Sequence, residues 1–185
     1  MKITQRALLV SLLGLSLAAG AASLLKIDPA KTSVSAVFKQ MNVPLEAKFK
    51  KYNIVIDYNA ASPDASKATV NIDTASLDLG DPDMNTEVAK KEWFNSAQFP
   101  KASFVSSAIK AAGPGKLNVT GKLSIKGKTA DVAFVLTVKT EGGKQVFEGA
   151  LPIKRLAFNI GEGEWKDTAT VADDVTIKFR VTAAQ

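Results

Sequence analysis

Across Leu117-Asn118-Val119-Thr120-Gly121-Lys122-Leu123-Ser124-Ile125-Lys126-Gly127-Lys128-Thr129-Ala130-Asp131-Val132-Ala133-Phe134-Val135-Leu136-Thr137-Val138, apolar and polar residues take turns on both sides of one glycine-centred break. Leu117, Val119, Leu123 and Ile125 fall on one side, with Asn118, Thr120, Lys122, Ser124 and Lys126 on the other. Ala130, Val132, Phe134, Leu136 and Val138 form the second apolar row. Alternation of this kind marks strands with one dry and one wet face. Lys126-Gly127-Lys128 between them reads as a tight hairpin.

The same period extends in both directions. Val34, Ala36 and Phe38 alternate with Ser35 and Lys39, and Ala68, Val70 and Ile72 with Thr69, Asn71 and Asp73. Near the end Val175, Ile177, Phe179 and Val181 repeat the pattern. Ile54, Ile56 and Tyr58 obey it too, but Phe49 is out of phase, which predicts a bulge near Lys51. Ser62-Pro63-Asp64, Gly113-Pro114-Gly115 and Gly142-Gly143 supply further turns. About eight strands follow, with no strand–helix alternation that would build a parallel sheet. Ten residues of strand extend about 33 Å, and long twisted antiparallel strands with one dry face close on themselves. The expected class is all-β, an extended antiparallel barrel of the lipocalin type.

One helix interrupts the strands. Asp81-Pro82-Asp83 can cap and start it, with proline where its missing N–H costs nothing. Asp81, Asp83 and Glu87 are expected at its positive end and Lys90 and Lys91 at its negative end, with Asn95 as a left-handed stop. Just beyond lies an aromatic knot, Trp93, Phe94, Phe99 and Phe104, in a chain only 7% aromatic. A group that large and apolar needs burial, and the barrel mouth is the place for it.

The first residues read as an export signal. Lys2 and Arg6 precede an apolar run from Ala7 to Leu17, and Ala19-Gly20-Ala21 offers a cleavage site. The run is shorter than the roughly 20 residues a membrane span needs, which favours cleavage over an uncleaved anchor. Residues 1–21 are thus expected as a signal peptide and 22–185 as one barrel domain, in the periplasm. The net charge is +6, and two of those charges leave with the signal. The remaining lysines are scattered, so no nucleic-acid partner is expected.

The 185 residues include no histidine and no cysteine. That removes Ser-His triads, thiolate nucleophiles and ordinary zinc sites, so no enzyme activity, metal or cofactor is expected. Two acidic groups remain: Asp78, Asp81, Asp83 and Glu87, then Glu162, Glu164, Asp167, Asp173 and Asp174. They lack the ordered spacing of a calcium loop and are explained by capping and solvated turns. Gly161-Glu162-Gly163-Glu164 has no phosphate-cradle context and reads as a mobile rim loop anchored by Trp165. Lysines 48, 50, 51, 122, 126 and 128 read as an outward solvated set, or as a basic rim meeting anionic lipid heads.

The inward rows mix large residues with small ones, Ala36, Ala68, Gly121 and Ala130, and small residues leave space. The candidate ligand-binding lining is therefore Phe38, Phe49, Ile56, Val70 and Ile72 from the early strands. Trp93, Phe94, Phe99 and Phe104 join it from the knot, with Leu123, Phe134, Leu136, Phe158 and Ile177 from the later chain.

These motifs in this order resemble the YceI family of exported polyisoprenoid-binding proteins, over roughly Lys26 to Ala183. The resemblance starts at Lys26-Ile27-Asp28-Pro29, with Ser33 to Met41 as first strand, and continues through Val70-Asn71-Ile72-Asp73-Thr74-Ala75-Ser76-Leu77-Asp78. Trp93-Phe94 and Phe99-Pro100 match its aromatic steps, Val119 to Gly127 its hairpin, and Val171 to Val181 its closing strand. Gln40, Ala47, Ile54, Asn85 and Val88 depart from residues common in the family, so head-group contacts are not carried over to them. The resemblance implies an isoprenoid lipid ligand, a quinone or a prenyl phosphate, held in an apolar cavity, with transient membrane-surface contact and either a monomer or a homodimer. The alternative is an envelope stress or interaction protein whose barrel is filled and whose surface acts. A continuous apolar tunnel decides for the first and a packed interior for the second.

Overall fold

The computed structural model describes residues 23–184, so the signal-peptide reading of residues 1–21 lies outside the described residues. The strands are β1 (Ser23–Leu24), β2 (Lys26–Ile27), β3 (Ser33–Gln40), β4 (Val43–Phe49), β5 (Tyr52–Tyr58), β6 (Lys67–Asp73) and β7 (Leu77–Asp78). After helix α1 (Pro82–Val88) come β8 (Lys101–Ala111), β9 (Lys116–Ile125), β10 (Lys128–Glu141), β11 (Lys144–Lys154) and β12 (Asp174–Ala184). All pairings among them are antiparallel, in the order β1-β5-β6-β8-β9-β10-β11-β12-β3-β4-β7, with β2 on β12. The all-β, lipocalin-like architecture expected from the alternation is what the chain adopts.

The sheet curls because β4 and β5, near its two ends, are one stretch of chain interrupted only at Lys50 and Lys51. β4 pairs with β3, whereas β5 pairs with β6. At the bend Lys50 N donates to the Ser76 carbonyl at 3.0 Å and Lys51 N to Ser76 Oγ at 3.0 Å. The inward set changes there from Ala47 and Phe49 to Ile54 and Ile56. The phase slip read from the sequence is therefore a change of pairing partner at a bend, not a bulge near Lys51. A register shift does occur in β8, between Ser106 and Ala108, and it lets Phe104 and Ile109 both face inward.

Two-residue turns with positive φ join several strands. Lys126 and Gly127 (φ 46° and 74°) connect β9 to β10, and Gly142 and Gly143 (φ 55° and 76°) connect β10 to β11. Met41 and Asn42 (φ 48° and 64°) make a third such turn, so the first long strand stops at Gln40 rather than Met41. Asp81 caps α1, its Oδ1 accepting from Asp83 N and Met84 N, both at 2.9 Å. The helix ends at Val88, earlier than Asn95, because the chain turns to bury Trp93. Phe94 N then reaches back to the Val88 carbonyl at 3.0 Å, and Asn95 (φ 49°) still takes the left-handed conformation. In so short a helix Glu87 sits in the last turn, not the first, paired with Lys90 at 2.5 Å.

Inside, three phenylalanine rings from β8, β10 and β12 form a belt. Phe104 and Phe134 have centroids 5.6 Å apart, and Phe134 and Phe179 5.5 Å. Two of these rings lie where neighbouring strands have glycine. A Cβ on Gly121 would run into Phe104, and one on Gly149 into Phe179. Beyond the belt Ile109, Leu117 and Val119 form a second buried cluster, and Tyr58 meets Phe147 edge-on at 5.2 Å.

Candidate functional site

The interior is not filled. A cavity of about 340 Å³ follows the inward rows from α1 past the phenylalanine belt to Ile109, Leu117 and Val119. That volume falls within the roughly 300–1,000 Å³ of small-molecule sites. Its wall is almost wholly apolar, with Gln40, Ser66, Ser103, Glu87, Tyr58 and Arg155 as the polar residues along it. The opening lies beside α1, because Met84 belongs to the wall yet is 43% exposed.

Of the small inward residues expected to leave space, Ala36 and Ala68 are on the wall and Gly121 and Ala130 are not. Ala36, Ala68 and Ala102 line the cavity beside the larger side chains. Of the candidate lining residues, Phe38, Phe49, Ile56, Val70, Ile72, Trp93, Phe94, Phe104, Leu123, Phe134, Leu136 and Ile177 all stand on its wall. Phe99 and Phe158 do not. Phe99 turns away after the left-handed Asn95 and packs by Gly127, its carbonyl accepting from Thr74 Oγ1 at 2.8 Å. Phe158 is 3% exposed in the core behind the wall, on the 3-10 turn Arg155–Phe158. Conversely, Ile54, Leu151, Ile160, Val171 and Val181 are wall residues outside the candidate set.

Two buried cations organise the mouth, and neither was legible as such. Arg155, 2% exposed, directs all five of its N–H bonds at backbone carbonyls. Nε donates to Ala172 (3.1 Å), Nη1 to Ile160 (2.8 Å) and Gly161 (3.1 Å), and Nη2 to Trp165 and Val171 (both 2.7 Å). Burial pulls its pKa below the ordinary arginine value, and Asp173 opposes that. Gly161 (φ 78°) has no room for a Cβ because Arg155 Nη1 occupies the place. The loop read as mobile is thus bonded from beneath, and Gly161 N and Glu162 N both donate to the Glu92 carbonyl at 2.8 Å.

Lys126 corrects the outward-lysine reading. Although it alternates with apolar neighbours, the turn swings it inward to 8% exposure. Its Nζ donates to the carbonyls of Lys91 and Asn159 at 2.7 Å and to Glu162 Oε2 at 2.9 Å. That hydrogen bond holds the Glu162 carboxyl below its usual range. Lys122 and Lys50 remain outside, paired with Asp131 (3.0 Å) and Asp78 (3.1 Å).

Aromatic contacts close the mouth. Trp93 and Trp165 have ring centroids 5.3 Å apart, the Arg155 guanidinium carbon stands 5.8 Å from the Trp93 centroid, and Phe49 meets Phe94 edge-on at 6.3 Å. Burial raises the Tyr58 pKa. Among the described residues no three acidic side chains gather as a metal site would require, and no helix is long and apolar enough to cross a membrane.

Comparison with known proteins agrees with this geometry. The crystal structure of BcnA from Burkholderia cenocepacia is 53% identical, with a TM-score of 0.83, over 86% of this chain and 100% of that one. A polyisoprenoid binding domain from Saccharophagus degradans, implicated in plant cell wall breakdown, shares the fold at 15% identity. Its TM-score is 0.69, over 88% of this chain and 98% of that one. A UPF0312 protein of Pseudomonas fluorescens is 35% identical over 98 residues, 53% of this chain. The chain spans about half the length of that curated relative, 51%. The YceI-like domain matches residues 25–183, which is nearly all of the described chain, and the protein belongs to the YceI-like family.

Proposed function

We propose that this protein binds an isoprenoid-tailed lipid in its barrel and stores or carries it in the periplasm after export. The observation that carries this reading is the continuous dry cavity opening beside α1. Each buried CH₂ is worth about 0.8 kcal/mol against water, so a few prenyl units outweigh the cost of association. Against a bilayer the same tail gains almost nothing, which balances loading and release at a membrane. The polyisoprenoid binding domain of similar fold supports the ligand class. The twelve candidate residues on the wall are the proposed ligand contacts, without Phe99 and Phe158. The apolar wall, with its cations bonded to backbone, supports a binding protein over an enzyme.

Membrane contact belongs to the same proposal. Met41, 72% exposed in the β3–β4 turn, and Val43, 57% exposed at the start of β4, stand next to the wall residue Gln40. These side chains offer a small apolar tip for a bilayer surface. The envelope stress alternative, with a filled barrel, is disfavoured by the cavity.

Organic extraction of natively purified protein followed by mass spectrometry is expected to recover a prenylated lipid. An extract free of prenylated lipid, from protein that also refuses added prenyl chains, overturns the reading. Replacing Met41 and Val43 together by serine is expected to slow lipid transfer to vesicles severalfold without changing the amount bound.

A further inference from the structure

The sulfur of this protein is gathered at the open end of the barrel. The chain has no cysteine, and its methionines are Met1, Met41 and Met84, the first outside the described residues. Met41 occupies the β3–β4 turn beside the wall residue Gln40, and Met84 lies on α1. Neither is in the core.

Met84 has one side on the cavity and one side in water. It is 43% exposed, and it shares the wall with Glu87 and Val88, three and four residues further along α1. That spacing puts all three on the helix face turned to the opening. The backbone beneath is fixed, since Met84 N donates to Asp81 Oδ1 at 2.9 Å. What can move at this lip is the thioether, an unbranched, polarisable chain that adapts to whatever lies against it. Because α1 buries none of its residues, a small solute reaches that side chain without any opening of the fold.

A thioether so placed is open to two-electron oxidation. Its sulfur lone pair takes one oxygen from a peroxide: the O–O bond breaks, an S–O bond forms and the other oxygen leaves as water. Sulfur is oxidised and peroxide reduced. The product, methionine sulfoxide, is polar where methionine is apolar. Its neighbours on the wall are Leu79, Val88, Phe49 and Phe94, with Glu87 paired to Lys90. A sulfoxide oxygen among them loses water when a hydrocarbon chain lies over it, a cost that apolar neighbours do not offset.

We propose, resting on the lipid-binding reading above, that Met84 is a reversible oxidation site that sets how firmly the barrel holds its cargo. Peroxide converts the thioether to the sulfoxide, the loaded state weakens, and reduction restores it. Met41 supplies an internal comparison, being 72% exposed yet off the wall, so its oxidation leaves occupancy alone.

Delipidated protein is treated with hydrogen peroxide, the sulfoxides are located by peptide mass mapping, and a dansyl-labelled farnesyl probe is titrated. Wild type oxidised at both positions is expected to bind about 3- to 10-fold more weakly than untreated protein, a modest factor because the lip is partly wet. Binding is expected to return on treatment with the two methionine sulfoxide reductases, one for each epimer. Each variant is compared with its own untreated form: Met41→Leu is expected to lose the same factor on oxidation, and Met84→Leu to lose none. Equal binding before and after oxidation of Met84, or an equal loss in Met84→Leu, overturns the assignment. A second readout needs no substitution. Bound probe is expected to slow formation of the Met84 sulfoxide severalfold and to leave the Met41 rate unchanged, and a Met84 rate indifferent to the probe overturns the proposal. Untreated wild type that takes up no prenyl chain at all overturns the lipid-binding reading itself, and this proposal with it.

Discussion

Arg155 shows how much one side chain carries at the mouth of this barrel. Its five hydrogen bonds satisfy the carbonyls of residues 160, 161, 165, 171 and 172 and so tie the rim loop to the chain beside β3. Replacement by leucine leaves those carbonyls unpaired, and about 4 kcal/mol or more of stability is expected to go, read as a lowered urea midpoint. Gly161→Ala attacks the same joint from the other side, by steric conflict with Nη1 and by the positive φ, and about 2 kcal/mol is expected from strain of this kind. Neither residue announces this in the sequence. Bonds from one side chain to backbone carbonyls leave no pattern of partner residue types, whereas alternation of the rows at Leu117–Ile125 does. Lys126 misleads for a related reason, since period two places it outside until the positive-φ turn redirects it.

At the scale of elements, α1 and the loop before it are held by short polar contacts. Asp81→Ala removes the cap from two N–H groups and is expected to cost about 1 kcal/mol by thermal unfolding. Asp78 ends β7 and is held at a pKa of about 2 by the Gly80 backbone N–H, the Asn85 amide and Lys50. A carboxyl depressed in the folded state stabilises it above the unfolded value, about 3.9, and loses that contribution as pH falls towards its folded pKa. Stability is therefore expected to fall between about pH 4 and pH 2, and Asp78→Asn to flatten that part of the profile, measured by urea midpoints at successive pH. The cap at Asp81 and the alternating strands were legible because each obeys a local rule. The bend at Lys50–Lys51 and the Ser106–Ala108 shift were not, because a phase slip in sequence does not tell an inserted residue from a change of partner. The Met41–Asn42 turn was hidden by the absence of glycine and proline.

The molecule as a whole encloses space that a folded chain ordinarily fills. Cargo that binds the folded barrel and not the unfolded chain raises stability by mass action, about 2.7 kcal/mol at a hundred times its Kd. For a chain of this size that corresponds to roughly 5–10 °C, so delipidated protein is expected to melt lower and to recover on adding a prenylated lipid. A melting point indifferent to every such lipid counts against carriage. The width of the bore rests on two positions without side chains. At Gly121 an added methyl would meet the Val105 carbonyl as well as the Phe104 ring, a clash no side-chain motion relieves, whereas at Gly149 it would meet only the Phe179 ring, which can yield by swinging into the lumen. One carbon atom added at Gly149 would thus narrow the bore from within while leaving the outer face of the sheet unaltered.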